Sequence, residues 1–164
     1  MLQITTTIDI DAPVDDVWKK AAKLDDVQNF VDSVTKSYYS SEQKEGVGAE
    51  RTCEVNGFGT LVEQIVDWKD GETFTYTVEG MPSIVKHAQS TWRLERENDF
   101  QTTVHTTISV ETRYGVLGKM METFALKPKM SATISSALAQ FKQYVEKSQP
   151  EAQRSAAPLR AHAV

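Results

Sequence analysis

The chain has one cysteine, Cys53, among its 164 residues, so it can form no internal disulfide and its composition suits a reducing compartment. No apolar run approaches the roughly 20 residues that span a bilayer, so no membrane insertion is expected. The opening Met1-Leu2-Gln3-Ile4 passes directly into a strand pattern, without a basic and then apolar leader, which points to a cytoplasmic location. An excess of positive charge is also missing. Lysine plus arginine number 18 against 23 for aspartate plus glutamate, a formal charge of −5, and the basic residues are scattered. A phosphate backbone needs a concentrated basic face, so nucleic acid is not an expected partner.

The usual catalytic signatures are absent as well. No Gly-x-Ser-x-Gly elbow occurs and Cys53 has no neighbouring base in sequence, so nucleophilic catalysis has no support. His87 and His105 are the only histidines within the patterned part of the chain. Zinc needs three or four converging ligands, so no metal is expected. Each histidine alternates out of step with its apolar neighbours: His87 opposes Ala88, Ser90, Trp92 and Leu94, and His105 opposes Val104, Thr106 and Ile108. Both are therefore placed on the surface. Gly46, Gly48, Gly57 and Gly59 are turn and bulge glycines; no helix starts after them, so they make no phosphate cradle, and no cofactor is expected.

What is present is a change of period along the chain. Leu2, Ile4, Ile8 and Ile10 alternate with polar residues, the period of two of a half-buried strand, with Thr6 on the inner face. Asp11-Ala12-Pro13 then opens a helix carrying Val14, Val17, Trp18, Ala21 and Ala22, and a second short helix is expected from Asp25 to about Val31. Strands are predicted at Lys36 to Glu42, Gly48 to Val55, Phe58 to Trp68, Thr73 to Glu79, Ile84 to Arg96 and Phe100 to Thr112. The turns between them are short: Asn56-Gly57 fits a two-residue hairpin with positive φ at both positions, and Asp70-Gly71 and Glu97-Asn98-Asp99 mark two more. After Tyr114-Gly115 the helical period returns, with a break at Pro128. Met130, Ile134, Ala137, Leu138, Phe141 and Val145 then form one face of a long helix ending near Lys147. Residues 148–164 hold almost no large apolar side chain, so the expected organisation is one domain over 1–147 and a disordered tail.

A lone antiparallel sheet with one apolar face needs cover, and the terminal helix is the element long enough to supply it. The expected fold class is α+β, a curved seven-stranded antiparallel sheet closed by that helix. In this order the motifs IDIDAPVDDVW (ending at Trp18), GVGAER (Arg51), GFGTLVEQIVDW (Trp68), FTYTVEGMP (Pro82) and STWRLE (Glu95) resemble the START-related, helix-grip superfamily, in particular its bacterial polyketide cyclase/dehydrase branch. That branch similarly pairs a Gly-x-x-x-Glu element, here Gly59 and Glu63, with a preceding Gly-x-x-Arg, here Gly48 and Arg51. The resemblance implies an internal cavity between sheet and helix. Placed on this sequence, its lining comprises Trp18, Phe30, Arg51, Cys53 and Glu63, then Phe74, Tyr76, Trp92 and Ile108. Tyr114, Met120, Met121 and Phe124 precede the long helix, which adds Met130, Ile134 and Leu138.

Glu63 is the candidate catalytic residue. It is in step with Leu61 and Ile65, and an inward carboxylate in an apolar pocket can act as acid or base. The alternative puts Val62, Val66 and Trp68 inward and leaves Glu63 solvated. Counting back from a two-residue Asn56-Gly57 turn sets Arg51 diagonal to Glu63, within reach of an ion pair. Three functions remain open: carriage of a small hydrophobic molecule (a lipid, a polyketide-like aromatic or an isoprenoid); cyclisation or dehydration of a polyketide-like substrate, with Glu63, Tyr76 or Tyr114 moving protons; and a protein-interaction or stress-response module. A monomer or homodimer is expected.

Overall fold

The computed structural model describes residues 1–113 and 127–150. Seven strands form one antiparallel sheet: β1 (Leu2–Ile10), β2 (Val34–Tyr39), β3 (Glu50–Val55), β4 (Gly59–Lys69), β5 (Thr73–Glu79), β6 (Val85–Asn98) and β7 (Gln101–Thr112). Their order across the sheet is β1-β7-β6-β5-β4-β3-β2. Every neighbouring pair except β1 with β7 is consecutive in the chain, as short hairpin links require. Helix α1 (Val14–Ala21) and a 3-10 helix (Leu24–Asn29) connect β1 to β2, and α2 (Lys127–Lys147) runs beside β1. Among the described residues no helix is long and apolar enough to cross a membrane.

Local chemistry explains the helices. In α1, Asp15 and Asp16 occupy the first turn and Lys19 and Lys20 the last, each sign complementing the helix dipole. The second helix is a tight 3-10 turn, one residue earlier than the spacing predicts. Pro128 is the second residue of α2 as described, and the helical stretch expected before it lies outside the described residues. Ile134, Leu138, Phe141 and Val145 are the buried face of α2. Burying four such side chains contributes roughly 6–12 kcal/mol before entropy is subtracted.

The hairpins differ from expectation in one way that matters. Val55 pairs with Gly59 and Lys69 with Thr73, so both loops have three residues. In each, an i to i+3 bond closes the turn (Phe58 N to Val55 O, and Glu72 N to Lys69 O, both 3.0 Å). Positive φ occurs at Gly57 and Gly71, never at Asn56, because no residue other than glycine has positive φ among the described residues. Asn56 keeps the ordinary backbone region that a side chain prefers, and the extra residue shifts the register by one. Arg51 consequently lies directly opposite Glu63 rather than diagonal to it. Glycine is also required at position 80, where φ is +85° and an added Cβ would lie 2.3 Å from the Thr60 carbonyl oxygen.

Irregularities between Val34 and Lys36, Ile65 and Asp67, Val85 and His87, and Arg96 and Asn98 bend the sheet, as bulges do. The bulge after Ile65 resolves the two readings of β4. Leu61, Glu63 and Ile65 face inward up to it, Val66 is 44% exposed, and Trp68 rejoins the inner face, opposite Phe74.

Candidate functional site

The concave face of the sheet, the 3-10 helix and α2 enclose a cavity of about 270 Å³. Ligand pockets commonly span roughly 300–1,000 Å³, so this one is at the small end. Of the predicted lining, Phe30, Arg51, Cys53, Glu63, Phe74 and Tyr76 border it, with Trp92, Ile108, Met130, Ile134 and Leu138 completing the set. Trp18 does not. It lies away from the cavity, edge-on to Trp68 (5.1 Å between centroids) and Phe74 (5.7 Å), its Nε1 donating to Asp70 Oδ1 at 3.1 Å. The α1 face that buries Trp18 turns it towards the 70–71 hairpin, where an indole N–H finds an acceptor. Tyr114, Met120, Met121 and Phe124 lie outside the described residues, as does the tail from residue 151. Leu24, Val27, Leu61, Val78, Ser90 and Thr106 border the cavity too and are not in the lining placed from the sequence. For Ser90 and Thr106 a signal existed, since each interrupts an otherwise apolar inner face.

The walls are mostly hydrocarbon and aromatic. Phe74 stacks on Trp92 (5.9 Å, 12°) and lies nearly parallel to Tyr76 (6.3 Å, 22°), which presents flat ring faces side by side. Phe30 packs on Phe141 at 5.0 Å.

Into this wall is set one buried ion pair. The side chains of Arg51 and Glu63 are only 10% and 12% exposed, and Arg51 Nε donates to Glu63 Oε2. Arg51 Nη1 donates to the Leu24 carbonyl at 2.6 Å, and its guanidinium lies 5.4 Å from the Tyr76 ring centre. Burial works against the guanidinium charge, but the facing Glu63 carboxylate prevails and Arg51 is held more firmly protonated than usual. Burial pushes the Tyr76 hydroxyl up to about 12, helped by the Glu63 charge, so it is a hydrogen-bond donor at neutral pH. The Cys53 thiol, 3.9 Å from Glu63 Oε2, is pushed up by burial as well; it is a packed thiol and no nucleophile.

A second polar cluster locks the cavity's 3-10 wall to α2. Tyr144 Oη donates to Asp26 Oδ2 at 2.5 Å, while Asn29 (2.7 Å) and Lys23 (3.2 Å) donate to Oδ1. Burial would raise the Asp26 carboxyl, yet these donors outweigh it and hold it below the usual range; burial and then Asp26 push Tyr144 to about 12. Replacing Tyr144 with phenylalanine keeps the ring and is expected to cost about 1.5–3 kcal/mol at pH 7, the worth of a hydrogen bond to a charged group. A depressed carboxyl stabilises the fold above its unfolded value of about 3.9 and loses that contribution as pH falls through the lower folded value. The difference between wild type and Tyr144→Phe should therefore be flat from pH 8 to 5 and shrink below about pH 4, as urea titrations at stepped pH will test.

His87 is exposed, and His105 sits on the outer face between Thr7 (3.0 Å) and Glu95 (2.9 Å), away from the cavity. No group of three or more metal-ligating side chains occurs among the described residues.

A family profile described as polyketide cyclase/dehydrase and lipid transport matches residues 1–146. The fold is similar to that of the Zhui aromatase/cyclase from Streptomyces sp. R1128, at 18% identity and a TM-score of 0.75, covering 92% of this chain and 97% of that one. It is also similar to the di-domain aromatase/cyclase BexL of the BE-7585A biosynthetic pathway (15%, TM-score 0.75, 89% of this chain and 47% of that one). A START superfamily protein from Mycobacterium smegmatis matches at 10% identity and a TM-score of 0.70, over 90% and 99% of the two chains. At such identities the likeness is one of fold. No curated protein sequence matches significantly.

Proposed function

The chain belongs to the polyketide cyclase/dehydrase and lipid transport family, and from that premise we propose that it binds or carries a small hydrophobic molecule between the sheet and α2. The observation that supports this reading is the cavity itself: about 270 Å³ of space walled by aromatic and aliphatic side chains. A cavity in a well-packed interior forfeits dispersion contacts, and filling it with an apolar ligand restores them. The parallel faces of Phe74, Tyr76 and Trp92 favour a flat ring over a branched chain. Mass spectrometry of ligand released from native protein, with calorimetric titration of naphthalene-sized probes, is the test. A protein that carries nothing and binds no probe would overturn the proposal.

A second reading, acid/base chemistry on a polyketide-like substrate, is favoured by the placement of the Tyr76 ring and Glu63 carboxylate on the same wall. Tyr76 would donate a hydrogen bond to a substrate carbonyl and polarise it. Glu63 is committed to Arg51, so its part would be to orient that guanidinium. Turnover abolished by Tyr76→Phe, with probe binding intact, would favour this reading over simple carriage.

A further inference from the structure

Buried polar groups in this sheet nearly all find partners. Thr102 donates to the Ala12 carbonyl (2.8 Å), Thr103 to Asp9 (2.9 Å), Thr75 pairs with Thr91 (2.9 Å), and the Trp18 indole reaches Asp70. Three of the sheet's described side chains break the rule: Ser90 Oγ, Trp92 Nε1 and Thr106 Oγ1 are buried and complete no hydrogen bond of good geometry within the protein, although the Tyr76 hydroxyl lies close to Ser90 and Trp92. All three line the cavity. Ser90 and Trp92 are two residues apart on the inner face of β6, and Thr106 stands opposite Trp92 on β7. Ser90 and Thr106 are each 2% exposed. Such groups cost folding free energy when left unmade, and their concentration on one wall calls for an occupant.

We propose that Ser90, Trp92 and Thr106 form a hydrogen-bonding subsite for an uncharged oxygen, a carbonyl or hydroxyl, carried by an otherwise apolar flat ligand. The proposal rests on the cavity-binding reading above and narrows what the cavity takes. An indole N–H donates only, so the site needs an acceptor, while the two hydroxyls donate or accept and suit a ketone and an alcohol alike. The charge balance of the wall rejects an anion. Among the described residues, Arg51 is neutralised by Glu63, and Lys23, the other cation bordering the cavity, is exposed and engaged with Asp26. A ligand carboxylate would be desolvated without a free counter-charge among the described residues. Trp92 also stacks on Phe74, so the ring that holds the ligand's face carries the donor that meets its oxygen.

Three probes of one shape separate the possibilities by calorimetry at neutral pH: naphthalene, 2-acetylnaphthalene and 2-naphthoate. The ketone is expected to bind about tenfold or more tighter than the hydrocarbon, the worth of one or two net hydrogen bonds, and tighter than the carboxylate. In Ser90→Ala/Thr106→Val that advantage should fall to within about twofold while naphthalene affinity holds, and in Trp92→Phe, which also shrinks a stacking face, the ketone should lose more affinity than naphthalene does. The unliganded double variant should melt at or above the wild-type temperature, since neither hydroxyl it removes completes a hydrogen bond of good geometry. Equal affinity for ketone and naphthalene in the wild type, stronger binding of the carboxylate, or parallel loss of both neutral probes in the double variant would overturn the subsite and leave the cavity standing. Binding of none of the three would overturn the cavity reading itself.

Discussion

Arg51→Met is expected to destabilise the protein by about 3–5 kcal/mol, the cost of stranding a buried charge whose partner is removed. Glu63 then keeps its place on an apolar wall, 12% exposed, with no cation opposite it. The same substitution releases the Leu24 carbonyl from Arg51 Nη1, loosening the 3-10 helix that forms part of the cavity wall. Guanidinium denaturation measures the loss. The double variant Arg51→Met/Glu63→Leu should recover most of it and can exceed wild type, because buried ion pairs are often worth no more than the hydrocarbon that would replace them. Arg51→Lys should fall between, retaining the charge but not the planar fork that serves Glu63 and Leu24 together. A loss under about 1 kcal/mol for Arg51→Met would mean that water reaches the pair as it reaches a surface salt bridge.

The second large effect belongs to the grip. Phe141 is fully buried on α2, with its ring 5.0 Å from Phe30 and edge-on to Trp92 at 5.4 Å. It thereby joins helix, 3-10 segment and sheet in one contact. Phe141→Ala is expected to cost about 3–5 kcal/mol, transfer and cavity terms combined. For a chain of this size that is a fall in melting temperature of about 6–20 °C. Because Phe141 is not among the cavity-lining residues, probe affinity should fall less than stability does. A loss under about 1.5 kcal/mol would show that the sheet can settle onto the helix and close the gap.

Much of this architecture was legible beforehand. The alternation of Leu2, Ile4, Ile8 and Ile10 marked β1, and the Ile134, Leu138, Phe141, Val145 spacing marked the buried face of α2, because burial on one side leaves its period in the sequence. Most of the cavity's apolar wall followed once the resemblance supplied a cavity. Trp18 was misplaced: its burial was readable from the helical spacing, but which end of the domain it fills depends on how α1 docks.

The sequence by itself determined which residues are strand, which are helix and which side of most elements is inward, since propensity and period act over a few neighbouring residues. The tertiary structure alone decided the chemistry of the wall. One additional loop residue at Phe58 set Arg51 against Glu63, and a bulge after Ile65 let both Glu63 and Trp68 face inward on one strand. Whether the hydroxyls of Ser90 and Thr106 find partners depends on what stands across a cavity from them. Hydrogen bonds and charges act over about 3–4 Å between residues far apart in the chain, and no periodicity records that distance.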